Sequence, residues 1–135
     1  MPLLKWDTKY SVGVSAMDHQ HTILFELLNE LHDAMAKGRD RASLCDLLAR
    51  LSDYAHQHFA EEEQLITSNN YPEVAVHHEL HRELLQQITE FQGRLGRGDL
   101  TLSLHLLNFL RDWLTHHIQK VDRNYGIWLN ERGIH

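Results

Sequence analysis

The sequence lacks what several function classes require. One cysteine, Cys45, stands among 135 residues, so no internal disulfide can form and no thiolate cluster is available for an iron–sulfur centre. Only 2 prolines and 7 glycines interrupt a chain rich in Leu, Glu, Gln and Ala, which favours helix over strand. Nowhere do about 18 apolar residues run together, as a membrane span would need. The opening Met1-Pro2-Leu3-Leu4-Lys5-Trp6-Asp7 has no apolar core of signal-peptide length, and a cytoplasmic protein is the expectation. Positive charge is also scarce. With 13 basic against 19 acidic residues and a formal charge of −6, there is no basic patch for nucleic acid or for an anionic membrane surface.

What remains is ordinary for one globular domain: 42% hydrophobic and 24% charged residues, in a chain long enough to bury its own core. The exception is histidine, present 12 times. A single domain over 1–135 is expected, opening with an irregular arm over 1–14 that contains Trp6, Tyr10 and Gly13. Four helical segments follow, over about 16–37, 41–66, 73–95 and 100–121. Ser15 and Asp18 read as a capping-box start for the first, whose stripe is Met17, Leu24, Leu28, Leu31 and Met35. The second carries Leu44, Leu47, Leu48, Leu51, Ala55 and Leu65, and ends at Ser68-Asn69-Asn70-Tyr71-Pro72. Pro72 suits the first turn of the next helix. The third carries Val74, Leu84, Ile88, Phe91 and Leu95, and the fourth Ser103, Leu106, Leu110, Leu114 and Val121. Tyr125 to Leu129 reads as a short helix or an ordered tail. Helices of similar length with short connections imply an all-α, up-down-up-down four-helix bundle. That fold says nothing of function.

The gaps in the stripes carry the functional signal. His21 falls between Met17 and Leu24, His58 and Glu62 between Ala55 and Leu65, His77 and His81 between Val74 and Leu84, and His117 between Leu114 and Val121. The helical period puts all six on the buried face. Burying so many polar groups without partners costs about 1–3 kcal/mol each, and more for a carboxylate. A lone histidine on an apolar stripe is usually a hydrogen-bonded core residue. Here, at about 1.5 Å rise per residue in helices of alternating direction, all six fall within one or two turns of one level. A shared metal layer accounts for that coincidence.

Two pairs, His77/His81 and His58/Glu62, have the i, i+4 spacing of a helical chelate. Five imidazoles with at least one carboxylate exceed a four-ligand zinc site, whereas two carboxylate-bridged six-coordinate ions would use them all. Spacing alone leaves iron, copper, nickel and zinc open. It also leaves the last carboxylate open. Asp122 lies five residues after His117, about 140° around a straight helix, and can face the layer only if the helix ends, bends or loosens. Asp112 with His116 is an equally good pair by spacing, although off the apolar stripe.

The motifs together resemble the hemerythrin family, specifically its bacterial single-domain members, over essentially the whole chain. Trp6-Asp7 with Tyr10-Ser11-Val12-Gly13-Val14 is similar to the family's N-terminal arm, and Met17-Asp18-His19-Gln20-His21 to its first ligand motif. His58-Phe59-Ala60-Glu61-Glu62, His77-His78-Glu79-Leu80-His81 and Trp113-Leu114-Thr115-His116-His117-Ile118-Gln119-Lys120-Val121-Asp122 supply the others in order. Each is weak alone; in series they are specific. The position of His19 is usually acidic or polar in the family, which makes that imidazole a bystander.

The resemblance implies Asp122 rather than Asp112, and two iron ions (Fe2+/Fe3+) with an oxo or hydroxo bridge. His77, His81 and His117 would saturate one iron. His21 and His58 would leave the other an open position for molecular oxygen, with Glu62 and Asp122 bridging. The implied function is reversible oxygen binding for storage, delivery to an oxygen-using partner enzyme, or sensing, in a protein that is not an enzyme; the sequence leaves the oligomeric state open, with a monomer favoured. The alternative is a di-iron enzyme acting on peroxide or nitric oxide. Leu24, Phe25, Phe59, Trp113, Leu114 and Ile118 are expected to form an apolar wall around the site. His19, His32, His56, His78, His105, His116 and His135 are expected at the surface or behind the ligands. Apart from Glu62, the run Glu61-Glu62-Glu63 reads as a solvated face.

Overall fold

The computed structural model describes residues 3–99 and 103–135. The first two residues of the arm and the expected first turn of the fourth helix, 100–102, lie outside that part. Four long helices form an up-down-up-down bundle: α1 (Ser15–Ala36), α2 (Arg41–Ser68), α3 (Val74–Gly96) and α4 (Ser103–His116). The fourth runs on through a π-helical segment, His117–Asp122, into α5 (Arg123–Asn130). The Tyr125–Leu129 stretch is therefore helix, continuous with α4. α2 packs along both α1 and α3, and α1 along α4. No helix among the described residues is long and apolar enough to cross a membrane.

The core is built on the stripes the sequence shows, although Met35, Leu47, Leu65, Val74 and Phe91 of those stripes are only half-buried. Leu24, Leu28 and Leu31 of α1, Leu44, Leu48, Leu51 and Ala55 of α2, Leu84, Ile88 and Leu95 of α3, and Leu106, Leu110 and Leu114 of α4 are all buried. Val121, expected on the last stripe, is only half-buried, and Asp122 takes the buried position beside it. Helix ends follow local chemistry. The Asp40 carboxylate accepts from Ser43 N–H at 2.8 Å and caps α2. Asn70, with φ 60°, lets Tyr71 N–H turn back to Ile66 O at 3.0 Å and close it. Pro72 lies in the turn before α3 rather than within its first turn.

The start of α1 differs from the capping-box expectation. Val14 is the N-cap and Ser15 the first helical residue. Asp18 instead reaches back to the arm, accepting from Ser11 Oγ at 2.6 Å and Val12 N–H at 2.8 Å. The arm is tied down along its length. Asn29 exchanges two hydrogen bonds with the Leu4 backbone, Arg123 donates to Lys9 O, and Asn130 donates to Gly13 O at 2.9 Å. Val12 lies directly on α5 at Gly126, where a Cβ would sit 1.8 Å from Val12 O. Only glycine allows that approach. The arm thus holds α5, and with it the end of the π segment, against the bundle.

Candidate metal centre

Seven polar side chains are sealed in one layer of this apolar core. His21, His58, Glu62, His77, His81, His117 and Asp122 are each 3% exposed or less. They are the seven residues that motif and spacing single out. Their ligand atoms form two overlapping sets, each with all atoms within 4.8 Å of one another: Glu62, His77, His81, His117 and Asp122, and His21, His58 and Glu62.

Asp122 joins the layer because helix four loosens. Through the π segment the backbone closes on the fifth residue back, as when Arg123 N–H donates to Ile118 O. Residues five apart then share a face, which an α-helix denies them. Asp122 Oδ1 lies 3.0 Å from His117 Nε2. Asp112, the competing carboxylate, is exposed and pairs with the neighbouring Arg111; His116 is exposed as well.

The two carboxylates divide the histidines into the same two groups. Glu62 turns Oε2 to His21 and His58, both at 3.3 Å, and Oε1 to His77 at 2.7 Å and His81 at 3.1 Å. Asp122 turns Oδ2 to His21 at 3.1 Å and Oδ1 to His77 at 3.1 Å and to His117. Each carboxylate thus spans a two-histidine side and a three-histidine side.

Hydrogen bonding within the layer is poor for groups packed so closely. Asp122 Oδ1 has two imidazole nitrogens beside it and yet makes no properly directed hydrogen bond. His81 Nε2 and His117 Nε2 face each other at 3.2 Å, although the opposite nitrogen of His81 already donates its proton to Glu63 Oε2 at 3.1 Å. In the neutral ring that leaves a lone pair on His81 Nε2, aimed inward. The Nε2 atoms of five imidazoles and the oxygens of two carboxylates converge on one space, a donor arrangement suited to cations between them. A mixed nitrogen and oxygen donor set of this size fits two transition-metal ions.

Electrostatics show the same deficit of positive charge. Burial opposes a charged His21, but the Asp122 and Glu62 carboxylates outweigh it and raise its pKa to about 9. His77 is raised to about 10 against the same burial cost, by the same two partners. Burial pushes Glu62 up, yet His58, His21 and His77 hold it well below the usual carboxylate range. Asp122, pushed up by burial and by the Glu62 charge, is held down by His117 and His21. Without a metal, protons take the positions that cations would fill.

Behind the layer lie residues that spacing did not reveal. Gln20 accepts from His58 Nδ1 at 2.6 Å and donates to Glu61 at 2.6 Å. Glu63, half-buried, engages both His81 and His78. Glu61 and Glu63 therefore steady the donors, directly or through Gln20, and do not form a merely solvated face. Tyr125, fully buried, donates to Glu62 Oε2 at 2.7 Å. Burial and the Glu62 and Asp122 charges raise its phenol well above the ordinary value, so it stays protonated and donating. The one sequence signal for Tyr125 was its place a helical turn after Asp122. Phe59 stacks on His81 at 3.8 Å and Trp113 on His117 at 4.3 Å, ring planes 6° and 13° apart. Below the layer, Leu24, Ala55, Phe59, Leu84, Leu110 and Leu114 line an apolar cavity of ≈ 20 Å³.

Known proteins are similar to this chain in sequence and in fold. Residues 12–129 match the family profile described as the Hemerythrin HHE cation binding domain. A protein named Bacteriohemerythrin from Methylococcus capsulatus is 33% identical over 127 residues, covering 93% of this chain and 96% of the relative. Another of that name, from Stenotrophomonas maltophilia, is 33% identical over 126 residues, covering 93% and 81%. A crystal structure of wild-type hemerythrin superposes with a TM-score of 0.86 at 33% identity, over 92% of this chain and 95% of that one.

Proposed function

Because this chain belongs to the hemerythrin family, we propose that it binds molecular oxygen reversibly at a pair of iron ions held by His21, His58, Glu62, His77, His81, His117 and Asp122. The carrying observation is that Glu62 and Asp122 each turn one oxygen to the two-histidine side and one to the three-histidine side. Two ions bound there would have unequal donor numbers, and the poorer one would keep a position open to a small ligand. Iron supplies the chemistry when bound, since the ferrous pair can lend electrons to oxygen and recover them on release.

The chain's own residues serve that cycle in three ways. Gln20 and Glu63 fix the Nδ1 protons of His58 and His81, so that both Nε2 lone pairs face inward. Tyr125 holds Glu62 Oε2 with a donated proton and opposes its rotation away from the shared position. Leu24, Phe59 and Leu114 keep water from the layer, and the apolar cavity they help line suits a small apolar gas better than a polar reactant. The histidine-rich donor set also differs from the carboxylate-rich sets of ferritin-like di-iron proteins. The physiological task we assign is storage, delivery to an oxygen-consuming enzyme, or sensing.

Metal analysis with aerobic and anaerobic visible spectra tests the reading. Two irons per chain are expected, with a charge-transfer band that appears in air and disappears on deoxygenation through repeated cycles. Zinc as the sole metal, or iron that oxidises without ever showing the band, overturns it. Steady turnover of peroxide or nitric oxide by the loaded protein would favour the enzyme alternative.

A further inference from the structure

The metal layer is buried on every side, so no outside reductant can touch it. An iron pair that loses electrons to solvent oxidants must be re-reduced from a distance. Tunnelling falls off exponentially across saturated packing, and the route with the fewest gaps between π systems dominates. We propose that Trp113 is the port through which electrons enter the centre, a proposal that rests on the di-iron reading above.

Among the described residues, two aromatic routes lead outward from the candidate ligands. In one, the Trp113 indole stacks on His117 at 4.3 Å with planes 13° apart. The same indole lies 6.1 Å from Phe59, which is itself stacked on His81. Trp113 thus couples to two of the three histidines on one side of the layer. It is also half-exposed, in a surface groove with Glu83, Gln86, Gln87 and Phe109. One ring separates solvent from a ligand.

The other route leaves His77 for Tyr125 at 5.5 Å, passes to Tyr71 at 6.5 Å, and reaches Trp128 after a further 5.6 Å. Its contacts are edge-on and it needs three rings. Phe59 alone offers no exit, because it is buried. The geometry therefore favours Trp113. In the step itself, a one-electron donor of the reduced-viologen type gives one electron through the indole–imidazole stack, and one ferric ion becomes ferrous. The donor is oxidised by one electron, and no bond forms or breaks. Electrons enter on the three-histidine side, away from the position left for oxygen.

The test mixes fully oxidised, iron-loaded protein anaerobically with reduced methyl viologen or with dithionite, and times the loss of ferric absorption. Iron content and the oxygen-dependent band are measured first, and their absence from the unaltered protein overturns the di-iron reading rather than the port. Trp113→Leu is expected to slow reduction by an order of magnitude, Trp113→Phe to recover most of the rate, and Trp128→Leu to leave it unchanged. Glu83→Lys, on the exposed rim, is expected to speed the anionic donor and slow the cationic one, an effect that fades with salt. Tryptophan emission gives a separate readout: ferric iron should quench it more than redox-inert zinc does, and Trp113→Phe should abolish most of that difference. Unchanged reduction in Trp113→Leu at full iron content overturns the port, as does slowed reduction in Trp128→Leu. Should Trp113→Leu fail to hold iron, the Glu83→Lys rates decide, and equal responses to both donors overturn the port.

Discussion

His117 Nε2 and Asp122 Oδ1 lie 3.0 Å apart although five residues separate them. An α-helix would turn these side chains about 140° from each other. The π segment brings them onto one face and so gives the layer its second carboxylate. Asp122→Ala should abolish or severely weaken retention of the metal pair, whereas Asp112→Ala, on the exposed face, should leave it intact. Iron per chain after gel filtration is the measurement, and the opposite pattern would reassign the ligand.

Glu63 lies behind His81 and fixes the proton on its outer nitrogen. Loss of such a partner typically costs roughly 10–100-fold in metal affinity. Glu63→Ala should therefore fold normally and release iron to a competing chelator correspondingly more readily. Wild-type competition curves would remove Glu63 from this role.

Gly126 permits the contact between α5 and the arm. Gly126→Ala forces a methyl group onto Val12 O, at a site where a Cβ would stand 1.8 Å away. Overpacking of this kind costs about 1–3 kcal/mol, and more where backbone must move. A lowered Tm is expected, together with faster proteolysis within the arm. A melting temperature equal to wild type would mean that the arm is not held at this point.

The metal-free protein should show an unusual pH profile. His21 and His77 are raised from 6.5 to about 9 and about 10 by buried carboxylates. A raised folded pKa gives stability that is fully present below the unfolded value and is lost as pH climbs through the folded one. Glu62 and Asp122, both lowered, act in the opposite sense and withdraw stability as pH falls through the acid range. Denaturant midpoints of the apoprotein should therefore decline from near pH 6.5 towards pH 10. Metal uptake must expel the His21 and His77 protons, so affinity should rise over that same interval. A flat apoprotein profile across it would contradict the paired-proton arrangement.

The sequence by itself determined the bundle and most of the candidate layer. Apolar periodicity fixes which face of each helix is buried, and a histidine on that face is buried wherever the helix packs. His21, His58, Glu62, His77, His81 and His117 were legible for that reason. Other features depend on contacts between segments far apart in the chain. Asp122 reaches the layer through a π segment that α-helical spacing does not foresee, and Val121 gives up its core position as a result. Asp18 abandons the capping role its spacing suggested because the arm returns within reach of its carboxylate. Gln20, Glu63 and Tyr125 stand next to a candidate ligand or one helical turn from it, and only the packing of one helix against another aims each of them at the layer. Local periodicity decides burial. Hydrogen bonds that steady a donor and the loosening that admits a seventh one depend on tertiary geometry, where neighbours distant in sequence choose among conformations that are locally close in energy.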